Sequence, residues 1–175
     1  MKMRSSLDEL YSSLKAEEYL SDFNKLDEIL NEHMDWSNEN LSSLDKPKEK
    51  IETYLEKLTN FTSLFSKLAS YPSLIIAVDA KNERALKYLD QLHSKRIKAT
   101  RPNIQFNNFI AKVDNLDQII EESELLKEHE FFLREIKHNT KYLLGEKEEI
   151  IISKMKNTGS RAWSKLQNMI TSTLL

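Results

Sequence analysis

The stretch Ile51-Glu52-Thr53-Tyr54-Leu55-Glu56-Lys57-Leu58-Thr59-Asn60-Phe61-Thr62-Ser63-Leu64-Phe65-Ser66-Lys67-Leu68 decides the fold class. Ile51, Tyr54, Leu58, Phe61, Phe65 and Leu68 alternate at spacings of three and four, the rhythm of one apolar seam along a helix, and Leu55 widens it. A strand would need alternation in twos between turn residues. Outside Leu74 to Val78 and Ile150-Ile151-Ile152 the chain offers almost none. The reading is an all-α protein: a multi-helix bundle of roughly eight antiparallel helices, without a sheet.

Working outward from the seam, Ser6 and Glu9 form a capping box for a short first helix carrying Leu7, Leu10, Tyr11 and Leu14. Tyr19, Phe23, Leu26, Leu30 and His33 predict a second helix over 18–36, followed by a linker from Asn38 to Asp45. Asp45 is the expected cap of the long helix that opens at Pro47. Pro72, without an N–H, should bend or break that helix near Tyr71, with buried structure continuing through Leu74, Ile75 and Val78.

Downstream, 83–100 reads as a helix with Ala85, Leu89 and Leu92 inward and Lys95, Arg96 and Lys98 toward its C-terminus, closed by Arg101-Pro102. Phe106, Phe109, Ile110 and Val113 mark one short helix. Leu116, Ile119 and Ile120 mark another, opened by Asp114. A helix over 124–144 places Leu125, His129, Phe132, Leu133, Ile136 and Leu143 on one side, with Gly145 as its stop. A final pair follows, 146–156 and a helix bearing Ala162, Trp163, Leu166 and Ile170, with Trp163 expected to be buried, joined by the turn Asn157-Thr158-Gly159-Ser160. The whole, 1–175, is expected to be a single helical domain.

Composition narrows the function classes. The chain has 175 residues, 26 basic against 28 acidic, so no dominant charge directs it to nucleic acid. Lys95, Arg96, Lys98 and Arg101 form a basic group, but no aromatic residue is interleaved for base stacking. The two glycines, Gly145 and Gly159, are too few for a dinucleotide fingerprint and wrongly spaced for a phosphate-binding loop. Cysteine is absent, which excludes disulfides, thiolate metal sites and cysteine nucleophiles and suits a reducing compartment. The longest aliphatic run, Leu74 to Val78, is far below a membrane span, and the N-terminus meets Asp8-Glu9 instead of an apolar signal core. The expectation is a cytoplasmic protein with neither membrane nor nucleic-acid partner.

The sharpest catalytic pattern is His129-Glu130-Phe131-Phe132-Leu133. A zinc peptidase helix needs a second histidine where Leu133 stands, so one imidazole remains and no metal ligand is assigned. His33, His93 and His138 have no partner histidine at helical spacing. The acids Glu121, Glu122 and Glu124, and Glu146, Glu148 and Glu149, read as helix starts and not as carboxylate pairs. Trp36 and Trp163 read as packing residues. No catalytic, metal or cofactor-binding residue is assigned, and the substrate-binding residues are left open.

Three stretches carry a resemblance. Leu7-Asp8-Glu9-Leu10-Tyr11 with Phe23, Leu26 and Leu30 is similar to the opening of the oligoendopeptidase F family, zinc metallopeptidases of the thimet oligopeptidase type. Tyr71-Pro72-Ser73-Leu74 through Ala77-Val78-Asp79 and Glu83 resembles that family's next helix end. Leu144-Gly145-Glu146-Lys147-Glu148-Glu149, then Gly159-Ser160 and Ala162-Trp163-Ser164-Lys165-Leu166, is similar to its Leu-Ser-Glu-x-x-Glu helix start and its Gly-x-x-Ala-Trp-x-x-Leu helix. Pro72 and Gly145 depart from the family's pattern. The resemblance implies a non-catalytic N-terminal lobe that shapes the cleft for oligopeptide substrates. The zinc and its ligands would come from a catalytic C-terminal lobe of the same polypeptide, and this chain alone would be inactive. The alternative from the residues themselves is a stand-alone helical interaction or oligomerisation module, pairing through the seam from Ile51 to Leu68.

Overall fold

The computed structural model describes residues 10–140 and 146–173. The expectations resting on Ser6, Leu7, Glu9, Leu143 and Gly145, and on the side chains of Glu146, Glu149 and Asn157, lie outside what it describes. Among the described residues the fold is all-helical, with no strand: α1 (Glu17–Asn40), α2 (Pro47–Val78), α3 (Glu83–Lys98), α4 (Thr100–Lys112), α5 (Leu116–Glu121), α6 (Glu124–Glu128), α7 (Glu130–Asn139), α8 (Glu146–Thr158) and α9 (Ser160–Thr173).

α2 is the spine, and its seam is spent inside the chain. Ile51, Tyr54 and Leu55 join α4 to α7 in one apolar cluster, where Phe106, Phe109, Ile110, Leu126 and Leu133 are buried. The Tyr54 and Phe106 rings stack at 3.6 Å, and the Tyr54 hydroxyl donates to Asn103 Oδ1 at 2.8 Å. Phe61, Phe65, Leu68 and Tyr71 join α1 and α3 in a second cluster with Tyr19, Leu26, Leu30 and Leu92. The seam is therefore core and not a free coiled-coil face. An 18-residue window of α2, with mean hydropathy 1.3, is long and apolar enough to cross a membrane by composition, which the short aliphatic run had not suggested. Its buried residues pack on α1 and α3.

Pro72 neither breaks nor ends α2. A proline leaves the carbonyl four residues back without its N–H donor, here the carbonyl of Leu68. The Tyr19 hydroxyl of α1 reaches that carbonyl at 3.4 Å, and Ser73 Oγ donates to the next one, Ala69, at 2.7 Å. Burial pushes the Tyr19 hydroxyl pKa well above its ordinary value, so it stays a donor. The helix thus continues to Val78, and the burial expected beyond the proline holds in part: Ile75 packs half-buried on the second cluster, whereas Leu74 is exposed and Val78 is 91% exposed.

Other boundaries shift for physical reasons. Residues 10–16 form turns instead of a helix, although Tyr11 and Leu14 are buried as the periodicity required. α1 runs on to Asn40, whose side chain donates to the Trp36 carbonyl at 2.9 Å. Asp45 does not cap α2. The capping position is Lys46, at φ 47, while Asp45 accepts from Lys50 Nζ at 2.7 Å and from Ser43 Oγ. Arg101-Pro102 opens α4 instead of closing α3, since a proline in the first turn sacrifices an N–H with no helical partner anyway. α5 is preceded by Asn115 and not opened by Asp114.

The predicted helix over 124–144 is divided at His129 into α6 and α7. Ser123 starts α6, accepting from the Leu126 N–H at 3.5 Å while its hydroxyl donates to Glu52 Oε1 at 2.5 Å. α7 is tied to the end of α4 by Lys137, whose Nζ donates to the carbonyls of Ala111 at 2.8 Å and Val113 at 2.7 Å. The turn expected at 157–160 does not reverse the chain. The Gly159 N–H bonds Met155 O at 2.8 Å and the Trp163 N–H bonds Gly159 O at 3.2 Å, so the helical ladder carries on from α8 into α9. A Cβ at Gly159 would lie 2.9 Å from the Met155 carbonyl oxygen, which accounts for the glycine.

Candidate functional site

The His129 stretch is split between the end of α6 and the start of α7. His129 is half-buried at the α6–α7 break, and Leu133, in the place of a second ligand, is fully buried in the core. Glu130 is held by Arg134 at 2.9 Å, and Arg134 also meets Asp117 at 3.1 Å. Among the described residues no three His, Asp or Glu side chains gather as metal ligands, so the donor set here does not fit a zinc ion. His138 is exposed, and Glu121, Glu122 and Glu124 lie on the surface, with Glu124 bound by Lys127 at 2.8 Å.

The basic group is dispersed. Lys95 is buried, paired with Asp27, its Nζ 4.1 Å from the Phe23 ring centroid. Arg96 sits 5.5 Å over the Phe65 ring, on another side of α3. Trp36 packs half-buried on the first cluster, as expected. Trp163 does not: it is 72% exposed, and Ala162, Leu166 and Ile170 are exposed with it.

That correction exposes the first feature of the site. Ile152, Met155, Gly159, Trp163, Leu166 and Ile170 recur at spacings of three and four across α8 and α9, one stripe about 27 Å long at 1.5 Å per residue. All its apolar side chains are exposed. α8 packs on α3 and α4, and the side toward α3 is polar: Lys165 Nζ meets Asp90 at 2.8 Å, and Ser153, Lys156 and Arg161 face a cavity. An amphipathic helix here docks by its polar side and presents its apolar side outward.

The cavity is the second feature. It has a volume of about 430 Å³ where α1, α2, the α3–α4 junction and the α8–α9 segment meet. Arg96, Lys156 and Arg161 line it, and no carboxylate does among the described residues. His33, on its wall, is 4% exposed, and neither ring nitrogen has a hydrogen-bond partner. The backbone at Lys57 approaches the ring without completing a bond of good geometry. Burial pushes the His33 pKa down to about 4, so the imidazole is neutral near pH 7. The nearby His93 is also lowered, first by burial and then by Arg161, with Arg96 and Lys165 adding to it against Asp90. Sequence reasoning noted Arg96 but missed Lys156 and Arg161. Their spacing of five across Gly159 is no motif, and only the docking of α8 brings them beside Arg96.

The fold and its two surface features define an all-helical protein with an exposed apolar stripe on α8 and α9. Residues 112–174, a little over a third of the chain, match the family model described as oligopeptidase F, in its N-terminal domain. The match bears out the resemblance to the N-terminal lobe of the oligoendopeptidase F family and falls on the stretch that carries α8 and α9. The stretches Leu7–Tyr11 and Tyr71–Glu83 lie outside it. No curated protein and no solved structure matches the chain.

Proposed function

We propose that this chain is the non-catalytic N-terminal lobe of an oligoendopeptidase F-like zinc metallopeptidase, shaping the substrate cleft for oligopeptide hydrolysis and inactive by itself. The observation that carries the reading is the exposed stripe from Ile152 to Ile170, which lies within the family-matched segment. Exposed apolar patches of this kind mark interaction surfaces. A catalytic lobe that covered the stripe would fix the wall of the cleft and supply what this lobe's residues do not fit: the zinc, which polarises the scissile carbonyl and activates water when bound. The setting is cytoplasmic and the substrates are oligopeptides that enter a walled cleft. The seam from Ile51 to Leu68 is used inside the chain, so it is not the pairing face that the interaction or oligomerisation alternative would need.

The test begins with an antibody against this chain. In source cells the native antigen should be heavier than 20.6 kDa and carry chelator-sensitive hydrolysis of an internally quenched oligopeptide. The purified 175-residue chain, with zinc added, should hydrolyse nothing. A 20.6 kDa antigen that no peptidase accompanies would overturn the reading, as would zinc-dependent turnover by the pure chain.

A further inference from the structure

We propose that the cavity between α1, α2, the α3–α4 junction and the α8–α9 segment binds the terminal carboxylate of a short peptide, with Arg96 and Lys156 as its charge partners. The choice of a peptide rests on the lobe reading; the choice of a carboxylate rests on the cavity.

Arg96 and Lys156 make no ion pair among the described residues, and both face a cavity that Arg161 also lines. Arg96 and Lys156 on one cavity without a carboxylate among its described lining raise the local potential and favour an anion. The lowered pKa of His93, to which Arg161 and Arg96 contribute after burial, reports the same positive field from a neighbouring position. Donors of fixed direction are present too. Asn103 spends its Oδ1 on the Tyr54 hydroxyl, so what its amide offers the cavity is N–H. His33 supplies an independent sign of an unfilled site: a buried imidazole normally has a well-formed bond on at least one nitrogen, and this one has only the approach of the Lys57 backbone.

The rest of the lining selects the ligand class. Leu30, Leu58, Phe61 and Ile97 stand beside the cations. A free phosphate ion would gain nothing from those walls and would leave most of 430 Å³ unfilled. A carboxylate attached to an apolar residue uses both halves, and the volume lies within the ordinary range for small-ligand pockets. A bidentate guanidinium and a lysine ammonium are the usual partners of such a group.

The experiment titrates the 175-residue chain with an N-acetylated pentapeptide ending in leucine, as the free acid and as the C-terminal amide, by calorimetry and by proton NMR of the histidine rings. The acid should bind, the amide about tenfold more weakly, and Arg96→Met and Lys156→Met should each weaken the acid by about tenfold, the weight of one charge-assisted hydrogen bond. Arg96→Lys should recover part of the loss. The His33 ring signals should shift while those of His129 and His138 stay. Both substitutions are at exposed positions, and unchanged far-UV circular dichroism verifies the fold. Equal affinity for acid and amide, no binding of either, or unaltered binding by both variants overturns the proposal. Displacement of the peptide by an equal concentration of inorganic phosphate also overturns it, in favour of a phosphate site. None of these outcomes touches the antigen mass or the zinc-dependent activity on which the lobe reading stands.

Discussion

Pro72 is a buried residue inside α2, six positions before the helix ends, and the structure names what offsets it. Its missing N–H leaves the Leu68 carbonyl to Tyr19, whose hydroxyl is 3.4 Å away. Tyr19→Phe removes that donor and nothing else of the ring, which keeps its edge contacts with Tyr11 and Tyr88. A buried carbonyl left without a partner costs about 1–3 kcal/mol; the bond is longer than the usual 2.5–3.0 Å, so about 1 kcal/mol is expected. Pro72→Ala restores an N–H aimed at the same carbonyl. Its helical gain, up to about 3 kcal/mol, is offset by the lost ring packing and by the freer unfolded chain, for a net gain of about 1 kcal/mol. The decisive quantity is the coupling. When Tyr19→Phe is added to the Pro72→Ala protein it should cost only a few tenths of a kcal/mol, which gives a coupling energy of about 1 kcal/mol. Urea unfolding of the four proteins, followed by circular dichroism at 222 nm, measures it. An equal cost of Tyr19→Phe with and without Pro72 would refute the account of how α2 survives its proline.

His33 predicts a pH dependence. Its folded pKa of about 4 lies below the ordinary 6.5, so between those values the unfolded chain binds a proton that the folded chain does not. Stability from this residue is full above pH 6.5 and is lost as pH falls toward 4, about 3 kcal/mol in all; His33→Leu should remove that loss, and a wild-type-minus-variant difference that stays flat over the window would show that His33 is not buried and neutral. Lys137→Met should destabilise by about 2 kcal/mol in urea unfolding, since the ammonium serves the Ile110, Ala111 and Val113 carbonyls at the end of α4. Leu133→Ala, in the core, should cost about 3 kcal/mol or more, while Trp163→Ala should stay within about 0.5 kcal/mol. A Trp163→Ala loss above about 2 kcal/mol would mean that α9 is buried.

The helices were legible because periodicity reports which residues share a face. Tyr19, Leu26, Leu30, Ile51, Phe61, Leu68 and Leu92 are buried where their spacing placed them. What spacing could not report was the partner that rescues a local fault. Pro72 reads as a break until Tyr19, 53 positions earlier, is seen to take the stranded carbonyl. Asp45 reads as a cap until the Lys50 ammonium draws its carboxylate away and holds its pKa down at about 2. Leu133, which stands where a second histidine ligand would have to be, is buried in the core as its helical spacing required. The cavity was not, because Arg96, Lys156 and Arg161 meet only through the packing of α8 on α3 and α4.

Trp163 shows why an amphipathic pattern fixes a face and leaves its covering open. Periodicity correctly put Trp163, Leu166 and Ile170 on one side of α9, and the mistake was to assume that this chain buries that side. Five large apolar side chains of the stripe, Ile152, Met155, Trp163, Leu166 and Ile170, stand between 37% and 72% exposed. At about 1.5–3 kcal/mol for each when fully buried, roughly half of that is forgone, or about 5 kcal/mol over the five. Whole domains have only about 5–15 kcal/mol of net stability, so this is a large sum to leave in water. The chain leaves it there because the other side of the segment is occupied by the Lys165–Asp90 ion pair and by Ser153, Lys156 and Arg161, polar groups that the core of α1 to α7 could not take in exchange. The helix is therefore oriented by its polar contacts, and its apolar stripe stays exposed in this chain. The lobe reading proposed above would give that orientation a use, because a partner surface could cover the stripe.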